Sequence, residues 1–168
     1  MRFEKVSFET FYKDMSKYYR EMTKETAREF YDKIKIPKRG TKYSAGYDFS
    51  TPVPITMRKG YKLLIPTGIK CRFEDWEDKW HLQLYVRSSI GIKHGVVLTN
   101  GTGVIDGDYY NNADNEGDIF MALHCENDMV CHFEAGERIM QGVLTVHGVT
   151  DDDTATGERS GGVGSTGK

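Results

Sequence analysis

The sequence predicts an all-β domain, an antiparallel sandwich or barrel, with a helical segment in front of it and a flexible glycine-rich arm behind it. Three observations predict this. Between residues 37 and 149, short apolar runs alternate with polar residues. Proline and glycine punctuate those runs. No helical period interleaves them, which argues against a βαβ arrangement.

From Ser7 to Ile34 the pattern is different, with Phe8, Phe11, Tyr12, Met15, Tyr18, Tyr19, Met22, Phe30 and Ile34 recurring every three or four positions. Charged residues fill the gaps and neither Pro nor Gly intervenes, so an amphipathic helix is expected, or two helices broken near Thr23. Residues 1–35 are read as a helical extension that packs on its own domain or on a sister subunit. Residues 36–149 form the β domain. In Lys79–Arg87, Trp80, Leu82, Leu84 and Val86 alternate with His81, Gln83, Tyr85 and Arg87, a half-buried strand. Tyr61–Ile65, Thr67–Phe73, Val96–Thr99, Asp118–Leu123, Asp128–Phe133 and Arg138–Val146 read as further strands. Residues 150–168 lack the apolar content to join a core. Gly157–Gly167 holds five glycines in eleven residues, which makes disorder the default for this arm. Its bare N–H groups and hydroxyls also suit wrapping a phosphate.

Composition excludes several classes. The 23 basic and 25 acidic side chains leave a net charge of −2, which argues against a nucleic-acid binder relying on a general basic surface. No apolar run approaches the roughly 20 residues of a membrane span. Cys71, Cys125 and Cys131 are odd in number and lack C-x-x-C spacing. A disulfide framework or structural zinc is therefore not expected, and a reducing cytoplasm is.

Four places in the β domain combine tight backbone with polar chemistry. Ser44-Ala45-Gly46-Tyr47-Asp48 puts a carboxylate after a glycine turn. Arg87-Ser88-Ser89 ends the alternating strand with a guanidinium and two hydroxyls, a group suited to charge-assisted contacts with phosphate. Asn100 through Tyr109 is a glycine-rich turn ending in Asp106, Asp108 and an aromatic ring. Gly136-Glu137-Arg138-Ile139-Met140-Gln141 opens a strand. Singly, each has a plainer reading: Asp48 as a turn cap, Arg87 in a surface ion pair, Tyr109 covering a core edge. The common nucleotide fingerprints G-x-x-x-x-G-K-[ST] and strand–G-x-G-x-x-G–helix are missing, as is H-E-x-x-H.

In this order, and followed by Arg159-Ser160-Gly161-Gly162-Val163-Gly164-Ser165-Thr166-Gly167, the four segments resemble the five motifs of the trimeric dUTPase family. The resemblance runs from about Ile36 to the C-terminus. It implies a dUTPase-like β-barrel or jelly roll, assembled as a homotrimer with shared active sites. It implies hydrolysis of dUTP to dUMP and pyrophosphate, which limits dUTP and supplies dUMP for thymidylate synthesis. By the same resemblance, Asp106 is the catalytic carboxylate, holding the 3′-hydroxyl and orienting or deprotonating the attacking water. Tyr109 lies against the deoxyribose and excludes a 2′-hydroxyl. Asn100, with the backbone of Gly103, Val104 and Ile105, reads the uracil edge. Arg87, Ser88, Ser89 and Gln141 contact phosphates. Arg159, Gly162, Val163, Gly164, Ser165 and Thr166 close over the nucleotide from the arm. Mg²⁺ is implied as cofactor, held chiefly by substrate phosphates and water, with Asp48 as an outer-shell contact through a water.

The chain departs from the family pattern in five places, two of them small: the spacing from Arg159 to Gly162 is one residue shorter than in many relatives, and Ser89 stands where glycine is common. Val163 stands where a phenylalanine usually stacks on uracil, with Phe120 or Tyr110 as substitutes. Tyr110-Asn111-Asn112-Ala113-Asp114-Asn115-Glu116 is longer than the usual turn and reads as a solvated hairpin tip. The N-terminal helix is extra to the minimal domain; it and the 110–116 insertion are the expected places for any protein partner. The related dCTP deaminase needs a glutamate on the strand after the turn, and Ile119-Phe120-Met121-Ala122-Leu123 has none. A nucleotide-gated regulator of the same fold is the other alternative.

Overall fold

The structure, a computed structural model, describes residues 1–73, 79–159 and 161–162. In chain order it contains β1 (Arg2–Lys5), α1 (Phe8–Tyr18), α2 (Lys24–Lys33), β2 (Lys38–Arg39), β3 (Tyr47–Ser50), β4 (Ile55–Met57), β5 (Lys62–Pro66) and β6 (Ile69–Arg72). There follow β7 (Trp80–Val86), α3 (Ser88–His94), β8 (Val96–Leu98), β9 (Gly103–Ile105), a 3-10 turn (Gly107–Tyr109), β10 (Phe120–Cys125), β11 (Cys131–Phe133) and β12 (Arg138–Val146). The fold class is mainly β, as the strand pattern implies.

The largest sheet runs β2-β3-β12-β7-β9 and positions the site. Its pairings are antiparallel. A second sheet, β5-β10-β8, and two strand pairs, β1-β6 and β11-β4, complete the described β structure. Leu82 and Leu84 of β7 turn inward onto Phe49, Ile139 and Met140, all in one core cluster. A Cβ at Gly142 would lie 3.0 Å from both the Leu82 and Phe49 side chains, so only glycine lets β12 approach them so closely.

Ser7 caps α1 by accepting from the Thr10 N–H, and Thr23 caps α2 by accepting from the Thr26 N–H, each at 3.2 Å. The amphipathic stripe expected to form an extension supplies Val6, Phe11 and Met15 to the same core cluster as the barrel strands. Phe11 and Met15 are fully buried. The contact is close: a Cβ at Gly68 (φ +70°) would lie 3.0 Å from the Phe11 ring. An apolar helix face must be covered, and here the barrel wall of the same chain covers it.

The short strands β2, β3, β4 and β9 lie outside the sequence expectations, and so do β1 and α3. β1 is four residues whose strand state comes from pairing with β6, Phe3 opposite Cys71. α3 follows Arg87 directly and stops at Gly95, whose φ of +60° provides a left-handed cap. Gly91 in its middle hid its helical period.

Candidate active site

The functional side chains gather in two clusters. The first lies where β3, β12 and the end of β7 meet. Asp48 on β3 faces Gln141 on β12 in register. One Asp48 oxygen pairs with Arg87 Nε at 3.0 Å and the other with Arg138 Nη1 at 2.9 Å. The Arg87 Nη1 also donates to the Arg138 carbonyl at 3.3 Å. Arg87 sits at the head of α3, so Ser88 and Ser89 present exposed hydroxyls beside it. A Cβ at Gly46 would overlap the Gln141 side chain, which explains a glycine there. Together Ser44, Gly46, Asp48, Arg87, Ser89 and Arg138 line one open polar pocket.

The second cluster follows β9. Asn100 is exposed on the turn before it, where Gly101 takes φ +74°. Gly103 is buried against Leu84, a Cβ there reaching 3.0 Å from that side chain. Val104 is exposed and Ile105 half-buried. Asp106 then opens the 3-10 turn that carries Asp108 and Tyr109. Tyr109 is buried; its hydroxyl donates to the Asp118 carbonyl at 2.8 Å and accepts from Asn115 Nδ2 at 2.9 Å. Burial pushes its phenol up to about 12. Arg159 from the arm donates to Asp106 at 2.6 Å and to Asp108 at 2.7 Å, with its guanidinium 5.6 Å from the Tyr109 ring centre. Gly162 is buried nearby. Val163, Gly164, Ser165 and Thr166 lie outside the described residues.

The β7 register sets the separation of the two clusters. Ile105 pairs with Leu82 and Gly103 with Leu84, so Asp106 extends toward His81 while Arg87 lies past the other end of β7. At about 3.3 Å per residue, that is roughly 20 Å along the strand.

The 110–116 insertion differs from the solvated tip expected of it. Asn112 and Asn115 are buried and bond each other, Asn112 donating at 2.8 Å. Asn112 also donates to the Tyr109 carbonyl at 2.8 Å. Asn111 and Glu116 take φ of +55° and +56°, held in the left-handed region by this network. Glu116 accepts from the Ser7 N–H at 3.0 Å, Thr10 Oγ1 at 2.6 Å and Lys70 Nζ at 3.1 Å, and also from Ser7 Oγ. Burial raises its carboxyl, but these donors outweigh burial and hold it at about 2. The insertion is therefore clamped to the start of α1. The two aromatic residues considered as uracil covers are engaged on the same side: Tyr110 donates to Glu4 at 2.8 Å, and Phe120 packs edge-on to Tyr18.

Sequence reading did not single out Arg138, Asp108 or Asn115 for roles. The signal for Arg138 was present, a cation heading a strand beside a glycine turn. Its partner Asp48 lies 90 positions away. Among the described residues, no group of three or more His, Cys, Asp or Glu side chains is arranged to hold a metal.

The deoxyuridine 5′-triphosphate nucleotidohydrolase of Lactococcus lactis subsp. lactis is 46% identical over 136 residues, covering 80% of this chain and 89% of that protein. The enzyme of that name from Laribacter hongkongensis is 34% identical over 139 residues, covering 79% and 88%. The crystal structure of dUTPase from Streptococcus mutans superposes with a TM-score of 0.67 at 34% identity, over 90% of this chain and 99% of that one. A dUTPase from phage phi11 of S. aureus, whose description names a structural Mg(II) ion, shares the fold at 16% identity and a TM-score of 0.57, over 73% of this chain and 90% of that one. A family model described as dUTPase matches residues 32–167. With that match spanning most of the chain, this chain belongs to the dUTPase family.

Proposed function

We propose that the protein hydrolyses dUTP to dUMP and pyrophosphate by attack of water on the α-phosphorus. The observation that carries this reading is the 3-10 turn that puts the Asp106 carboxylate and the Tyr109 ring side by side after β9. A half-exposed carboxylate accepts a proton from water and a hydrogen bond from a sugar hydroxyl at once. Tyr109 is fixed at its hydroxyl by Asn115 and Asp118, so its ring is a rigid wall against which a 2′-hydroxyl has no room. The base lies along the turn from Asn100 to Ile105, where backbone groups and the Asn100 amide read the uracil edge.

In the reaction the water oxygen forms a bond to the α-phosphorus, and the bond from that phosphorus to the bridging oxygen breaks. The water proton passes to Asp106, and pyrophosphate leaves with the electron pair. Arg87, Ser88, Ser89 and Gln141 bind phosphate oxygens, and Arg159 with the rest of the arm covers them. A guanidinium aimed at developing charge lowers the barrier most in a site from which water is excluded.

A homotrimer with shared sites is part of the proposal. Arg87 and Asp106 are separated by roughly 20 Å along β7, too far to act on one triphosphate. Placing the first cluster of one subunit against the second cluster of another removes that separation. Mg²⁺ fits the site as an ion arriving with the triphosphate, since among the described residues Asp48 is the single carboxylate lining the polar pocket and makes no cage by itself. Asp48 is its outer-shell partner, and the ion supplies charge neutralisation of the phosphates. No described helix is long and apolar enough to cross a membrane. The three free, buried cysteines support a reducing, cytoplasmic setting.

The test is pyrophosphate release from dUTP, dTTP, dCTP and UTP with Mg²⁺, beside Asp106→Asn. The expected result is turnover of dUTP alone, lost in the variant. Tight binding of dUTP by the parent without turnover would sink the hydrolase reading in favour of a nucleotide-gated regulator.

A further inference from the structure

We infer that Cys125 and Cys131 are a redox-sensitive dithiol clasping the C-terminal end of α3, and that their oxidation to a disulfide loosens that helix. The dithiol stands on the fold alone; only its effect on turnover rests on the dUTP reading. β10 ends at Cys125 and β11 begins at Cys131, and the turn of residues 126–130 between them leaves the two thiols in hydrogen-bonding contact. Both donate to one acceptor, the carbonyl of His94 at the end of α3, over 4.0 Å from Cys125 Sγ and 3.5 Å from Cys131 Sγ. A helix leaves its last carbonyls without partners of its own, and here the thiols serve them. Their other acceptors, the Asn127 carbonyl for Cys125 and the Met129 carbonyl for Cys131, belong to the turn. The pair therefore joins turn to helix.

That junction matters because α3 has only seven residues, too few to hold a helix by itself. Its first residues are Ser88 and Ser89, which the proposed function places on phosphate. The oxidant is a small disulfide. Cys131 is 5% exposed and Cys125 fully buried, so Cys131 meets it first. The Cys131 thiolate attacks one sulfur of the oxidant and expels one small thiol. The Cys125 thiolate then attacks the mixed disulfide, forming the Cys125–Cys131 bond and expelling the second. Two protons and two electrons thus pass from the cysteines to the two released thiols. Burial pushes the Cys131 thiol up, so attack waits on opening of the turn, where Glu126, Asp128, Met129 and Val130 are exposed. The disulfide carries no S–H, and the His94 carbonyl loses both donors.

The experiment treats the full chain with diamide, an azo oxidant that takes up the same two hydrogens and leaves no adduct on a single thiol. Both cysteines lie in the tryptic peptide of residues 94–138, which should lose the mass of two hydrogens. Amide exchange across α3 should quicken, and kcat/KM for dUTP should fall about three- to tenfold. Dithiothreitol should reverse all three changes. Cys131→Ser and Cys125→Ser each keep a hydroxyl donor but cannot close the bond, so neither should respond to diamide; the pair guards against one variant failing to fold. A peptide of unchanged mass would overturn the inference. So would a disulfide that leaves α3 exchange unaltered, or an equal response in the serine variants. Quickened exchange with unchanged kcat/KM would uphold the clasp and count against Ser88 and Ser89 as phosphate contacts. A parent without dUTP turnover before oxidation would refute the proposed function, and exchange across α3 would still decide the dithiol.

Discussion

Asp48 holds two guanidinium groups at once, Arg87 at 3.0 Å through one oxygen and Arg138 at 2.9 Å through the other. The three residues come from β3, the end of β7 and the start of β12, so the bridge stitches three strands at the mouth of the polar pocket. Its energetic value as a surface ion pair is small, because Arg138 is half exposed. Its value for function is orientation: a long guanidinium side chain left free samples many rotamers, whereas Arg87 is fixed with its second nitrogen on the Arg138 carbonyl.

Asp48→Asn should therefore cost activity and leave stability nearly untouched. The amide cannot accept from both arginines, and one charge-assisted hydrogen bond is worth about 1.5–3 kcal/mol. The expected loss is about 10- to 100-fold in kcat/KM for dUTP, with the thermal midpoint moved by only a few degrees. Steady-state kinetics beside a thermal melt checks both halves. An unchanged kcat/KM would show that Arg87 needs no such anchor.

Tyr109 separates two roles that one residue usually merges. Tyr109→Phe keeps the ring but takes one partner from the Asn115 amide and one from the Asp118 carbonyl, leaving these buried groups only their own 3.4 Å bond, at a cost of about 1–3 kcal/mol in stability. It should retain the preference for dUTP over UTP. Tyr109→Leu removes the flat wall and should narrow that preference by about 10- to 100-fold. The ratio of kcat/KM values for dUTP and UTP measures the wall, and urea unfolding measures the hydrogen bonds.

Phe11 tests whether the N-terminal segment is optional. It is fully buried among barrel residues and packs on Gly68, so Phe11→Ala should cost about 3–5 kcal/mol. Equilibrium denaturation of the whole chain gives the number. Deleting residues 1–33 strips Val6, Phe11 and Met15 from the core and should leave the protein unable to fold. A soluble, folded truncation would show that the barrel closes its own wall.

What was legible in the sequence was whatever one strand or one turn decides locally. The alternation in β7 announces itself because Leu82 and Leu84 face the core while Gln83 and Tyr85 do not. Asp106 and Tyr109 were legible because a single turn carries both. The partner of Asp48 was not, since an ion pair across three strands exists only once the sheet is assembled. β1 was hidden for the same reason: Arg2–Lys5 has charges where a strand pattern wants apolar groups, and only β6 makes it a strand. The asparagine-rich insertion misled differently. Polar residues usually mean solvent, but Asn112 and Asn115 spend their amides on Tyr109, on each other and on the Gly117 N–H.

Glu116 gives the clamp between that insertion and α1 a pH signature. Burial pushes its carboxyl upward, but donors from Ser7, Thr10 and Lys70 prevail and set it at about 2, below its ordinary 4.5. A group whose folded value is depressed stabilises the fold above its unfolded value and loses that contribution as the pH falls through the folded one. The contribution is thus complete above about pH 5 and is lost between about 4.5 and 2. The difference of about 2.5 pH units caps it at about 3 kcal/mol, and water reaching a side chain that is 30% exposed reduces this to about 1–2 kcal/mol. Glu116→Gln should therefore be less stable than the parent by that amount at pH 7. The gap should close as the pH is lowered toward 2, because the parent then carries a neutral acid in the same place. Paired denaturation curves from pH 7 down to 3 check it. A gap that stays constant with pH would mean that Glu116 holds α1 by shape and hydrogen bonding alone, with no contribution from its charge.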